Sequence, residues 1–205
     1  SSCSRIPKII ILHDSLSAEE HNDLGIVYEQ EGKLDLALRE YKKALAKEEN
    51  FVKARVNLGN VLFKKREYNR AREEYLRSIS SDPSNPDPLN NLAWIYIIEK
   101  ENLEEAKLLA EKALELDQAN GYIYRDTLGM IAFLAGRLQE ALYLIEKSIE
   151  ETPPSEVLRL EEEYEHLEAI YRTAGLYDKA EKAVYHLNAL RKDRYGKPVT
   201  LPPHP

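Results

Sequence analysis

One cysteine, Cys3, stands in 205 residues, so the chain cannot close a disulfide on itself. Glycine is scarce, at 8 residues, and no Gly-rich stretch reads as a flexible linker. Runs of alternating β-branched residues are nearly absent, which leaves little from which to build a sheet. Long apolar runs are missing too. The longest near the start is "IIIL" at 9–12, far short of the ~20 residues that span a bilayer. Positive charge is in deficit, with 29 Lys and Arg against 36 Asp and Glu. That balance argues against non-specific nucleic-acid binding, which needs a basic face. Catalytic signatures are absent as well. There is no G-x-G-x-x-G and no P-loop, and His13, His21, His166, His186 and His204 form no metal-spaced pair. The expectation is a non-enzyme with neither cofactor nor metal. The carboxylates of "LEEEYEH" (160–166) read as a solvated helix face, and His166 as a surface histidine.

Present in quantity are Ala, Leu, Glu, Lys and Arg, all good helix formers. They are arranged with a period. "HNDLGIVYEQEGKLDLALREYKKAL" (21–45) aligns with "RVNLGNVLFKKREYNRAREEYLRSI" (55–79) at an offset of 34. Leu24, Gly25, Ala37 and Tyr41 fall on Leu58, Gly59, Ala71 and Tyr75. A third copy carries Leu92, Ala93, Tyr96, Ala106 and Ala113, with one extra residue in its turn. A fourth carries Leu128, Gly129, Ala141 and Ser148, and a degenerate fifth Leu167, Tyr171, Gly175 and Ala180. The small residues at Gly25, Gly59, Ala93 and Gly129 predict a close helix crossing. Ala37, Ala71, Ala106 and Ala141 are expected to answer them from the second helix. Gly32, Gly136 and Gly175 fall in the turns, where positive φ is expected.

This pattern resembles the tetratricopeptide repeat family, whose unit is a 34-residue helix–turn–helix. The resemblance covers residues 18–194 and implies an all-α fold, a right-handed superhelical solenoid of about five repeats. The repeats would run 18–51, 52–85, 86–121, 122–155 and 161–194. In repeat 5, Glu168 stands where Gly or Ala is expected, so a looser helix pair is predicted there. A lone helix pair leaves an apolar face uncovered, and stacking buries it, so one cooperative array is expected. Ser17 is the expected N-cap of the first helix, with Glu20 as its capping-box partner. Ser155 is the expected N-cap of a longer first helix in repeat 5.

With each repeat numbered so that Leu-Gly falls at positions 7 and 8, a turn of 100° per residue sorts the first helix into two faces. Positions 4, 7, 8 and 11 pack on the second helix. Positions 2, 5, 9, 12 and 13 lie roughly opposite, on the face that the resemblance places inside the superhelix. In repeat 3 that second face holds Asn90, Trp94, Ile97 and Ile98. Repeat 2 adds Asn60 and Phe63, and repeat 4 adds Met130 and Phe133. Two readings stand: a groove for a protein or peptide segment, in which Asn60 and Asn90 bond its backbone, or apolar packing between repeats.

The ends differ from the middle. Residues 1–17 read as an extended arm and 195–205, rich in proline, as a tail. "SSC" at 1–3 resembles the end of a bacterial lipobox, which makes Cys3 a lipid-attachment candidate and the only expected link to a membrane. It would place the protein in the periplasm or on the outer membrane, and otherwise the cytoplasm is expected. "KIIIL" at 8–12 is apolar enough to seek a partner. The reading is a non-catalytic interaction scaffold. The alternative is a self-assembling subunit whose arm, through 8–12, docks on a neighbouring chain.

Overall fold

A computed structural model of the chain describes residues 14–195, and all regular structure among them is α-helix. The helices come in five pairs. The first pair is α1 (Ala18–Gln30) and α2 (Leu34–Lys47), the second α3 (Val52–Lys64) and α4 (Tyr68–Ser81). The third is α5 (Pro86–Glu99) and α6 (Leu103–Leu116), the fourth α7 (Gly121–Leu134) and α8 (Leu138–Glu151). The fifth, α9 (Val157–Thr173) and α10 (Tyr177–Tyr195), is longer. Each helix packs on the next in chain order, and α1, α3, α5, α7 and α9 also touch in succession. The fold is therefore a solenoid of helix–turn–helix units. No helix among the described residues is long and apolar enough to cross a membrane.

Local signals set the boundaries. Ser17 caps α1: Glu20 N donates to its hydroxyl at 3.1 Å, and Ser17 N donates to the Glu20 carboxylate at 2.7 Å. Asn85 caps α5, with Pro86 in the first turn, where a missing N–H costs nothing. Ser155 does not cap α9. A turn closed by Glu156 N donating to Pro153 O at 2.8 Å carries the chain past it, and the helix starts at Val157 with Glu156 as N-cap. The turns at Gly32, Gly136 and Gly175 have φ of +72°, +74° and +71°.

The close crossing is built differently from the expectation. Ala37, Ala71, Ala106 and Ala141 are fully buried, and a Cβ on Gly129 would also lie 3.4 Å from Ala141 O, but the nearest neighbour of Gly25, Gly59 and Gly129 is a side chain four positions beyond the alanine. A Cβ on Gly25 would stand 2.5 Å from the Tyr41 ring, one on Gly59 2.5 Å from the Tyr75 ring, and one on Gly129 2.6 Å from Ile145. A notch on the first helix thus receives a large side chain from the second. In the fifth pair Glu168 occupies the notch position and pairs with Arg172. Leu167, Tyr171, Ala180 and Ala183 are nevertheless buried, so the pair keeps its core.

The core runs without a break along the array. One buried cluster extends from Ala37 to Ile131 and a second from Ala132 to Ala183, and Met130 and Leu144 pack against both. At ~25 cal/mol per Å² of apolar area removed from water, this continuous burial dominates the fold's stability.

Candidate functional site

The first helices of the repeats lie side by side and form an inner face. Between neighbours runs a ladder of polar contacts. Asn57 donates to Asn22 Oδ1 at 2.9 Å, joining α3 to α1. Asn91 donates to Asn60 Oδ1 at 2.8 Å, joining α5 to α3. Thr127 donates to Asn90 Oδ1 at 2.8 Å, joining α7 to α5. His166 Nδ1 lies 2.7 Å from Asp126 Oδ1, joining α9 to α7. Asn57, Asn91, Thr127 and His166 all occupy position 6 of their repeats. Three of their partners, Asn22, Asn90 and Asp126, occupy position 5. In repeat 2 position 5 is the apolar Val56, and Asn91 reaches Asn60 at position 9 instead.

Above this ladder lies a cavity of about 590 Å³. The groove ends of α1 and α3 supply Glu29 and Lys64, paired at 2.8 Å. α3 and α5 supply Asn60, Phe63, Asn90, Asn91, Trp94 and Ile98. The opposite wall is α9, through Arg159, Glu162 and His166. Trp94 stacks on His166 with ring centroids 5.5 Å apart and planes 27° from parallel. Asn60 Oδ1 accepts from both the Asn91 amide and the Tyr75 hydroxyl, the latter at 2.9 Å. Those two bonds fix the Asn60 amide so that its NH₂ is left to donate, and they leave Asn91 Oδ1 to accept.

Of the residues expected from sequence, Asn60, Phe63, Asn90, Trp94 and Ile98 come together on this cavity. Ile97 is corrected: it is 5% exposed and belongs to the core, although Phe63 at the same position of repeat 2 lines the cavity. Met130 and Phe133 are half-buried against core clusters and do not line the cavity. Asn90 reaches it, but its carbonyl is taken by Thr127. Cys3 and the 8–12 segment lie outside the described residues. The sequence reading missed Tyr75, Asn91, Arg159 and His166. The recurrence of a polar residue at position 6 would have found Asn91 and His166. His166 is not the surface residue expected, since its side chain is only 21% exposed. Arg159 comes from the extra first turn of α9, a lengthening the sequence suggested but the repeat-based face count did not cover.

Among the titratable groups of α9 displaced from their usual range are two that bear on the groove, His166 and Glu163. Burial pulls the His166 pKa down, but the hydrogen bond and charge of Asp126, helped by Glu162 and Glu165, outweigh it and the net shift is upward. Glu163 is pushed up to about 7 by burial, against hydrogen bonds from Ser148 and Thr152 that favour its charge, and the nearby Asp126 adds to the rise.

Paired helices stacked around an inner groove define a class of proteins, the helical-repeat solenoids. Family models for the tetratricopeptide repeat match residues 22–86 and 74–107. The chain is a tetratricopeptide repeat protein. It is 31% identical over 96 residues to the human protein O-mannosyl-transferase TMTC3, a match over 47% of this chain and 10% of that protein. The chain thus spans about a tenth of the length of the curated relative it matches. Solved structures share the fold at low identity. A tetratricopeptide repeat protein from Parabacteroides merdae is 20% identical with a TM-score of 0.69, over 86% of this chain and 70% of that one. MamA is 21% identical with a TM-score of 0.61, over 91% and 98%. YrrB, described as a tetratricopeptide repeat protein with an unusual peptide-binding site, is 21% identical with a TM-score of 0.58, over 86% and 88%.

Proposed function

We propose that the protein is a non-catalytic scaffold that holds an extended segment of a partner protein in the groove between α3, α5 and α9. The observation that carries this reading is the Asn60–Asn91 pair. Its fixed donor and free acceptor match the C=O and N–H of a peptide backbone, and Trp94, Phe63 and Ile98 beside it suit an apolar side chain. A fold neighbour described as peptide-binding agrees with it. Balanced ion pairs at both ends of the cavity favour a segment without strong net charge. Membrane attachment through Cys3 is a separate part of the reading and rests on "SSC" alone. Labelling with an alkyne fatty acid, lost in Cys3→Ser, checks it.

The test is peptide display panned against the full chain. Enriched peptides should share an apolar or aromatic residue. Trp94→Ala should weaken them by about 2 kcal/mol or more, as loss of a buried aromatic anchor does, while the protein keeps its helicity. Peptides that bind Trp94→Ala and Asn60→Ala as tightly as the unaltered chain would sink the reading. A concentration-dependent dimer in light scattering, abolished by Ile10→Asp, would replace it with self-assembly.

A further inference from the structure

Most of the groove is built from consecutive first helices, α1, α3 and α5. Its remaining wall is α9, two repeats further along, and α9 meets α5 through the Trp94–His166 stack. That stack rests on a second contact. Asp126, fully buried on α7, receives His166 at 2.7 Å through Oδ1, while its Oδ2 is buried with no hydrogen-bond partner. An imidazolium at position 166 is the countercharge that such a carboxylate requires.

A second titratable group, Glu163, sits one turn back on the same helix. Glu163 is fully buried against α8. Ser148 Oγ lies 2.7 Å from both Tyr122 O and Glu163 Oε1. Thr152 Oγ1 lies 2.9 Å from Ser148 O, 2.8 Å from Glu163 Oε1 and 2.9 Å from Oε2. Two hydroxyl hydrogens cannot serve all these contacts. With a proton on Glu163, Ser148 donates to Tyr122 O, Thr152 donates to Ser148 O, and the carboxyl donates to a hydroxyl.

We propose that α9 is a movable wall of the groove, clasped shut while His166 carries a proton between Trp94 and Asp126 and freed when that proton leaves. Loss of the proton leaves Asp126 buried without a countercharge and removes the cation from the indole face. Ionised Glu163 then adds a like charge in the same cleft. The other charged groups facing α9 do not replace the lost cation: on the side away from Trp94, Lys179 and His186 of α10 lie against Tyr171 and Tyr164, and Glu146 of α8 holds the Tyr171 hydroxyl. Glu162 is engaged by Arg159 at 3.7 Å, and Arg191 of α10 engages Glu165 and, at 3.4 Å, Glu161. Ser148 of α8 and its C-cap Thr152 are neutral, α5 presents Trp94, and across the cavity Lys64 is paired with Glu29. The upward shift of His166 and the value of about 7 for Glu163 bring the two proton losses into neighbouring ranges.

The inference rests on the groove reading for its use, since an open wall exposes Trp94 to a partner, but not for its test. Trp94 is the only tryptophan of the chain, so its fluorescence reports the clasp directly. Acrylamide quenching of the full chain is measured at about pH 5.5 and about pH 8.5, either side of the imidazole range. The expected quenching constant rises about twofold at the higher pH, as an exposed state gains population. His166→Phe keeps a ring on Trp94 without a titrating proton, and its constant should be the same at both pH values. Asp126→Asn should move the transition to lower pH. An unaltered quenching constant in the natural chain, with circular dichroism also unchanged, overturns the proposal. So does an equal rise in His166→Phe. No peptide enters the measurement, so a clasp that never opens leaves the peptide reading standing, and a groove that binds no peptide leaves the clasp standing.

Discussion

Gly32, Arg66 and Lys100 follow one another at offsets of 34, and all three are left-handed, with φ of +72°, +60° and +55°. The turn demands this conformation, and only Gly adopts it without a steric penalty. Arg66 is exposed, so its side chain offers little in return. Arg66→Gly should therefore raise stability by about 0.5–1 kcal/mol in urea denaturation, the relief of strain being partly offset by a freer unfolded chain. No change, or a loss, would mean that the turn is not strained. The opposite change at Gly59 acts on packing. An added Cβ meets the Tyr75 ring at 2.5 Å, and that ring is 1% exposed with its hydroxyl held by Asn60. Gly59→Ala should cost about 1–3 kcal/mol, the range for overpacking. Adding Tyr75→Ala copies repeat 3, where Ala93 and Ala110 occupy the matching sites. The double variant should cost less than the sum of the two single changes if the notch is the cause.

Within a helix, position decided more than residue type. The two-face count sent Trp94 and Ile98 to the groove, and both are there. It failed at Ile97, because a face defined on one isolated helix ignores the next repeat. Ile97 lies in the buried seam of the central cluster, whereas Phe63 at the same position of repeat 2 still lines the cavity. The same seam explains the ladder. Position 6 lies between the two faces of the count, so it passed unexamined, yet it is where adjacent first helices exchange hydrogen bonds. Thr127→Val tests one rung. It keeps the shape and removes the hydroxyl that donates to Asn90 Oδ1 at 2.8 Å, and Asn90 is only 6% exposed. The orphaned carbonyl should cost about 1–3 kcal/mol in thermal or chemical unfolding. Thr127→Val with Asn90→Leu, which removes both partners, should recover part of that loss. If the single variant is neutral, the rung is decoration.

For the molecule as a whole, the repeat was legible because close packing of successive pairs restricts the same positions each time, as at Leu24, Leu58, Leu92 and Leu128. The charged seat of α9 was not. It depends on Asp126, Glu163 and His166, which the chain separates and only stacking assembles; Asp126 falls on the inner face by the count, but nothing in the sequence joins it to Glu163 or His166. That seat makes stability depend on pH. Glu163 binds its proton more tightly when folded, at about 7, than when unfolded, near the ordinary 4.5 of a glutamate. The folded state therefore holds more protons between those values, and stability falls as pH rises through them. His166 is also raised, so its contribution is complete below the unfolded 6.5 and is lost as pH rises through the higher folded value. Both groups act in the same direction, so repeats 4 and 5 should loosen above neutrality. Glu163→Gln removes the carboxylate while keeping the size of the side chain. Compared by thermal melting, the variant and the natural chain should differ little near pH 5. By about pH 8.5 the variant should be the more stable, by at most on the order of 3 kcal/mol, the full value of the Glu163 shift. A variant that loses stability equally at both pH values would show that Glu163 is ionised when folded and that its hydroxyl partners already satisfy the charge.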